Sequence, residues 1–181
     1  MKNKIIIGIV GEMAAGKGTV VTYLKDKHKA SSHRYSTPLR DILDILHLDI
    51  NRKNLQDIFI ALSEKFGPDI LAKAISNDAE KDQNRVVIIE GIRMPSDIDY
   101  LRRIPEFKLI YLTADVKTRY SRLTQRHENI DDKNKTFDQF LKDHEAETEV
   151  EIKNIGKTAD FKIDNSKGLE ELYAQIDTLI K

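Results

Sequence analysis

A chain of 181 residues with 40% hydrophobic content can bury one sizeable core, and nothing in its length calls for a second domain. Its 30 basic and 30 acidic residues cancel, so no net field draws it to nucleic acid or to an anionic membrane, and neither is expected as a partner. The absence of cysteine excludes disulfides and thiolate metal sites and fits a cytoplasmic protein; no apolar run is long enough to span a membrane, and no signal peptide fits a chain whose first strand starts at Lys4.

Lys4-Ile5-Ile6-Ile7-Gly8-Ile9-Val10 is an apolar, β-branched run and predicts a buried strand. It runs into Gly11-Glu12-Met13-Ala14-Ala15-Gly16-Lys17-Gly18-Thr19, after which Val20, Val21 and Leu24 take up helical spacing. The pattern G-x-x-x-x-G-K arises by accident in about one chain in twenty at ordinary composition. Its placement between a strand and a helix is what gives it weight: the glycines let backbone N–H groups converge on anionic oxygens, and the helix N-terminus adds its positive dipole end. Gly11, Ala14, Ala15, Gly16 and Gly18 are therefore expected to cradle the phosphates of a nucleoside triphosphate, with Lys17 adding a full charge near the β and γ groups. Gly18 stands where a Ser or Thr commonly follows the lysine, and the hydroxyl comes one residue later, at Thr19. That step rotates the hydroxyl by about 100° on the helix, so Thr19 is expected to bond a phosphate oxygen and to be at most a weak metal ligand.

Ser32 to Tyr35 reads as a short strand, and Ser36-Thr37-Pro38 opens a helix to about His47. Arg52 to Lys65 is expected to be a helix with Leu55, Ile58, Phe59 and Leu62 inward, broken by Gly67-Pro68 and followed by another from Asp69 to Glu80. Arg85-Val86-Val87-Ile88-Ile89-Glu90-Gly91 is a continuous apolar run delivering a carboxylate at its end, the mark of a buried parallel strand. A strand over Phe107 to Leu112 and a helix over Val116 to Arg126 come next. The polar stretch 127–136 has no apolar period and reads as a lid, and a helix from Phe137 to about Val150 follows it. A strand over Phe161 to Ile163 and a helix over Leu169 to Ile180 complete the chain. Five strands alternating with helices predict a three-layer α/β/α fold with a parallel sheet.

Ligands on such sheets bind beyond the carboxyl ends of the strands, where Gly11–Thr19, Ser36–Arg40 and Glu90–Arg93 all fall. Glu90 is placed to hold Mg²⁺ directly or through water. Arg93 is placed to clamp an anion in a bidentate fork. Arg119, Arg122 and Arg126, three and four apart, share one helix face and repel one another unless an anion or carboxylates neutralise them. A transferring phosphoryl group is one such anion; a salt-bridged outer face using Asp115 and Glu128 is the other reading. The five histidines show no ligand spacing.

With these residues in view, the chain resembles the nucleoside monophosphate kinase group of P-loop phosphotransferases. Gly16-Lys17-Gly18-Thr19 is similar to that group's loop ending, Ser36-Thr37-Pro38-Leu39-Arg40 to its acceptor segment, and Glu90-Gly91-Ile92-Arg93 to its Asp-Gly-Phe-Pro-Arg element. Ala159 to Asn165 with Leu169 to Leu172 resembles the tail of dephospho-CoA kinases and of a related archaeal adenylate-kinase-like group. The resemblance implies a P-loop NTPase fold over 1–181, with a helical acceptor-binding insertion at about 36–82 and a short lid at about 127–136. It implies an ATP- and Mg²⁺-dependent kinase, monomeric or homodimeric, acting on a nucleoside or deoxynucleoside monophosphate. Lys17, Arg93, Arg122 and Arg126 are the implied catalytic residues, and Ser36, Arg40 and Arg93 the acceptor-binding ones. Asn165 joins the ATP-binding loop, and Glu90 with Thr19 stands on the metal side.

Dephospho-CoA kinases carry an Asp-x-Asp whose first aspartate acts as base toward a sugar hydroxyl, and Tyr35-Ser36-Thr37 has no counterpart to it. A phosphate acceptor is already an anionic nucleophile, so the missing base favours the monophosphate. Phosphorylation of a sugar hydroxyl and a nucleotide-binding ATPase or regulator without an acceptor are the alternatives. A GTPase is disfavoured because Asn134-Lys135-Thr136-Phe137 lacks the final aspartate of the guanine-reading motif.

Overall fold

A computed structural model describes residues 4–125, 135–143 and 147–180. Five strands, β1 (Ile5–Gly11), β2 (Ser31–Arg34), β3 (Val86–Glu90), β4 (Phe107–Thr113) and β5 (Phe161–Asp164), form one sheet in the order β2-β3-β1-β4-β5. Every pairing is parallel, with Ile7 opposite both Ile88 and Lys108. β1 lies in the middle, which explains its unbroken apolar sequence: both of its faces are covered.

Period-two alternation sorts the strand side chains into two cores. Ile6, Val10, Val87, Ile89, Leu109 and Tyr111 pack toward one side, against Leu71, Ala72, Ile75 and Ala79 of α4 (Ile70–Lys81) and Ile152 and Ile155 of α8 (Glu147–Lys157). Ile7, Ile9, Ile88, Ile110 and Leu112 pack toward the other, against Val20, Val21 and Leu24 of α1 (Lys17–His28) and Leu172 and Ile176 of α9 (Leu169–Leu179). Between these elements stand α2 (Thr37–Ile45), α3 (Arg52–Phe66), α5 (Ser96–Asp99), α6 (Val116–Gln125) and α7 (Phe137–Asp143).

Three expectations change. The helix expected over 137–150 is helical where described, over Phe137–Asp143 and Glu147–Lys157, and runs on past Val150 to Lys157 because Ile152 and Ile155 bury against the sheet. Phe59, expected inward, is 38% exposed: α3 is peripheral and lays only Leu55, Ile58 and Leu62 against the core. Tyr35 ends outside β2, although its N–H still donates to the Glu90 carbonyl at 3.1 Å.

Candidate active site

The loop between β1 and α1 is shaped by what surrounds it. Gly11 closes β1 where a Cβ would run into the Leu112 carbonyl, and Gly16 turns the chain into α1 with a φ of 101° that a side chain rarely adopts. α1 then begins at Lys17 with no acidic residue in its first turn, so its free N–H groups face no carboxylate from their own helix. Lys17 Nζ donates to the carbonyls of Gly11 at 2.6 Å and Glu12 at 3.0 Å, folding its charge back over the loop.

Asn165, just beyond β5, reaches across to this loop. It is 2% exposed, and its Nδ2 donates to the Ala15 carbonyl at 2.9 Å. Arg122 of α6 donates through Nη2 to the Asn165 carbonyl at 2.9 Å, while its buried Nη1 has no hydrogen-bond partner among the described residues. The loop, Asn165 and Arg122 therefore form one contiguous group.

Glu90 sits at the carboxyl end of β3, next to β1 in the sheet. Its Oε1 accepts a hydrogen bond from Ser32 Oγ and lies 3.9 Å from Lys25 Nζ. No group of three or more His, Cys, Asp or Glu among the described residues could hold a metal. A single carboxylate suits Mg²⁺, which keeps most of its waters and takes further oxygens from a substrate's phosphates. Glu90 is the carboxylate such an ion would use, and Thr19 stands on the first turn of α1.

On the other side, Arg40 Nε donates to Ser36 Oγ at 3.4 Å. The Arg93 guanidinium is exposed and has no ion-pair partner among the described residues, while the N–H groups of Arg93 and Met94 donate to Asp97 Oδ2 at 2.8 and 2.9 Å. Burial pushes the Asp97 carboxyl up, against the pull of those two amides. Tyr35 donates its hydroxyl to the Asp97 carbonyl, tying the segment just after β2 to this turn.

The arginine face resolves residue by residue. Arg119 is buried at 4% exposure, its Nη2 3.2 Å from Glu12 Oε1. Its Nε donates to the Ala114 carbonyl at 3.0 Å and its Nη1 to the Met13 carbonyl at 3.4 Å, and its guanidinium lies 5.8 Å from the Phe140 ring centre. Asp115, a salt-bridge partner only in the alternative reading, caps α6 by accepting from the N–H groups of Lys117 and Thr118. Arg126, Glu128 and all of the expected lid up to Asn134 lie outside the described residues. His28 and His33 bond Asp177 and Asp82, as packing residues would.

Sequence reasoning passed over Glu12. Its carboxylate is 6% exposed and also accepts from Thr113 Oγ1 at 2.8 Å. Desolvation, with the Glu12 charge beside it, pushes the Tyr111 hydroxyl up to about 12. The available signal was an acidic residue inside an anion-binding loop, which calls for an internal cation.

A family model described as an AAA domain matches residues 7–151, from the first strand through the phosphate loop to α8. The chain belongs to this AAA domain family. The chain is also similar to the UPF0200 protein of Methanocaldococcus jannaschii, at 26% identity over 98% of this chain and 89% of that one. It is equally similar to the UPF0200 protein of Pyrococcus furiosus, at 25% identity over 97% and 96%. Among solved structures it superposes on TT1252 from Thermus thermophilus with a TM-score of 0.63 at 17% identity, covering 98% and 97% of the two chains. A shikimate kinase from Bacteroides thetaiotaomicron gives 0.61 at 15% identity, covering 97% and 96%. The fold is that of the P-loop kinases, and no described helix is long and apolar enough to cross a membrane.

Proposed function

We propose that the protein is an ATP- and Mg²⁺-dependent kinase that moves the γ-phosphoryl group to a nucleoside or deoxynucleoside monophosphate. The observation that carries this reading is the convergence of Lys17, Asn165 and Arg122 on one loop, with Arg40 and Arg93 near the ends of neighbouring strands. The loop amides and Lys17 hold the donor's phosphates, and Lys17 exchanges its two carbonyl partners for phosphate oxygens when the donor arrives. Arg40, Arg93 and Ser36 hold the acceptor phosphate. An acceptor phosphate oxygen forms a bond to the γ-phosphorus as the bond to the β–γ bridging oxygen breaks, and ADP leaves. Because the attacking oxygen is already anionic, positioning and charge neutralisation suffice and no base is required. Arg122 Nη1, buried and with no hydrogen-bond partner among the described residues, supplies a donor for charge that develops near the loop, and Arg126 is assigned to the same task. Glu90 and Thr19 would hold Mg²⁺, which would supply positive charge to neutralise the phosphate oxygens.

A hydroxyl acceptor is the second reading, favoured by the fold's likeness to solved structures named as shikimate and sugar kinases. Such an acceptor needs a base, and Asp41, the nearest acid on α2, is exposed on the helix. ADP release measured with a panel of nucleoside monophosphates, deoxynucleotides, dephospho-CoA and shikimate separates the readings. Stimulation by a monophosphate supports the first, stimulation by a hydroxyl acceptor the second, and slow release indifferent to every acceptor overturns both.

A further inference from the structure

Every side chain that a phosphate-binding loop places near its ligand should be neutral or positive, yet the second residue of this loop is a glutamate. Its backbone carbonyl already serves the loop, accepting from Lys17 Nζ at 3.0 Å and from the Ala15 N–H at 3.1 Å. Its carboxylate turns the other way, between β4 and α6, where Thr113 and Arg119 bond it. Left unpaired in this 6% exposed position, that charge would repel an incoming triphosphate through a medium that screens poorly.

We propose that Arg119 is a positioning residue of the donor site: it neutralises the Glu12 carboxylate and clamps the Met13 carbonyl, so that the loop both keeps its shape and admits a nucleoside polyphosphate. The inference rests on the donor reading given above and assigns to it a residue that never touches the reacting atoms. Arg119 is suited to this by its several fixed donors, which serve a carboxylate, the Met13 carbonyl and the Ala114 carbonyl at once. It also ties the loop to the rest of the fold, because its guanidinium lies beside Phe140 of α7, so α6 and α7 both bear on the loop through one side chain.

The test is the dependence of donor affinity on phosphate count. Binding of adenosine, ADP and ATP is measured by titration calorimetry for wild type, R119M, E12Q and the double variant E12Q/R119M, with Tm recorded for each. R119M leaves the Glu12 charge uncompensated, so ATP affinity falls about tenfold or more relative to adenosine, with ADP in between. E12Q shifts the ratio the other way, and the double variant returns it toward wild type. A defect of packing alone would lower the affinities of all three ligands together, and that result overturns the proposal. If R119M does not fold, the E12Q arm decides: an ATP-to-adenosine ratio that fails to rise overturns it. A wild-type chain that binds none of the three ligands removes the kinase reading and this inference with it, whereas normal binding with unchanged ratios removes the inference alone.

Discussion

Asn165 and Ala15, 150 positions apart in the chain, are joined by a hydrogen bond of 2.9 Å that pins the end of β5 to the phosphate loop. The contact leaves no room for a side chain on Gly16, because a Cβ there would collide with the Asn165 amide nitrogen while sitting at a φ of 101°. Gly16→Ala is therefore expected to displace either the loop or Asn165 and to abolish detectable ATP binding. Asn165→Ala, which leaves the buried Ala15 carbonyl unpaired, is expected to cost about 1–3 kcal/mol of stability. Calorimetric titration with ATP and a denaturant melt check the two outcomes.

Lys17→Ala should abolish ADP formation with whichever acceptor the wild type uses, while the fold survives. The side chain donates to the carbonyls of Gly11 and Glu12, which remain held by the turn from β1 into α1 when it is removed. Turnover at the wild-type rate in a steady-state ADP assay would contradict the donor assignment.

Arg93 separates binding of the two substrates. Its guanidinium is exposed, so Arg93→Ala should leave Tm within about 1 °C of wild type, as ordinary surface changes do. The expected effect is a rise of roughly tenfold or more in KM for the acceptor, given the strength of charge-assisted phosphate contacts, with KM for ATP unchanged. Initial-rate kinetics with each substrate varied in turn read both constants.

Gly156 of α8 lies against the Tyr111 ring, which a Cβ at that position would approach to 2.6 Å. Gly156→Ala is expected to destabilise the fold by about 1–3 kcal/mol, although alanine is the better helix former, because the helix must lift off β4. A lower midpoint in urea, with an unchanged slope, is the expected readout; a higher midpoint would show that α8 has room to shift.

Acid stability should respond to Asp177, which receives hydrogen bonds from Lys27 at 2.6 Å and Tyr23 at 2.9 Å and lies 3.2 Å from His28. The Lys27 hydrogen bond, ahead of those from Tyr23 and His28, lowers its carboxyl to about 2. A carboxyl depressed in the folded state adds stability above its unfolded value near pH 4 and loses it as the pH falls toward 2. The pair is partly open to solvent, so the gain is about 1 kcal/mol or less. Asp177→Asn should therefore lower Tm at pH 6 and match wild type near pH 2, as thermal melts across that range would show.

The strand-loop-helix at the amino end was legible because each part declares itself locally: β-branched residues for a strand covered on both faces, glycines for the turn, and helical spacing beyond it. Glu90 was legible for the same reason, as a carboxylate ending an apolar run. Alternation of strands and helices along the chain was enough to predict a parallel sheet. The extent of α8 was harder to read, because it depends on two isolated isoleucines, Ile152 and Ile155, both finding the sheet.

What local pattern could not carry was pairing between distant residues. Helical spacing put Arg119 and Arg122 on one face, but only the packing of α6 against the sheet decided that the first would be buried on Glu12 and the second would meet Asn165. Periodicity specifies which face of an element turns inward. The partner that a buried charge meets there is set by the three-dimensional arrangement of segments more than 100 residues apart, and for Glu12 and Arg119 it was the fold that chose.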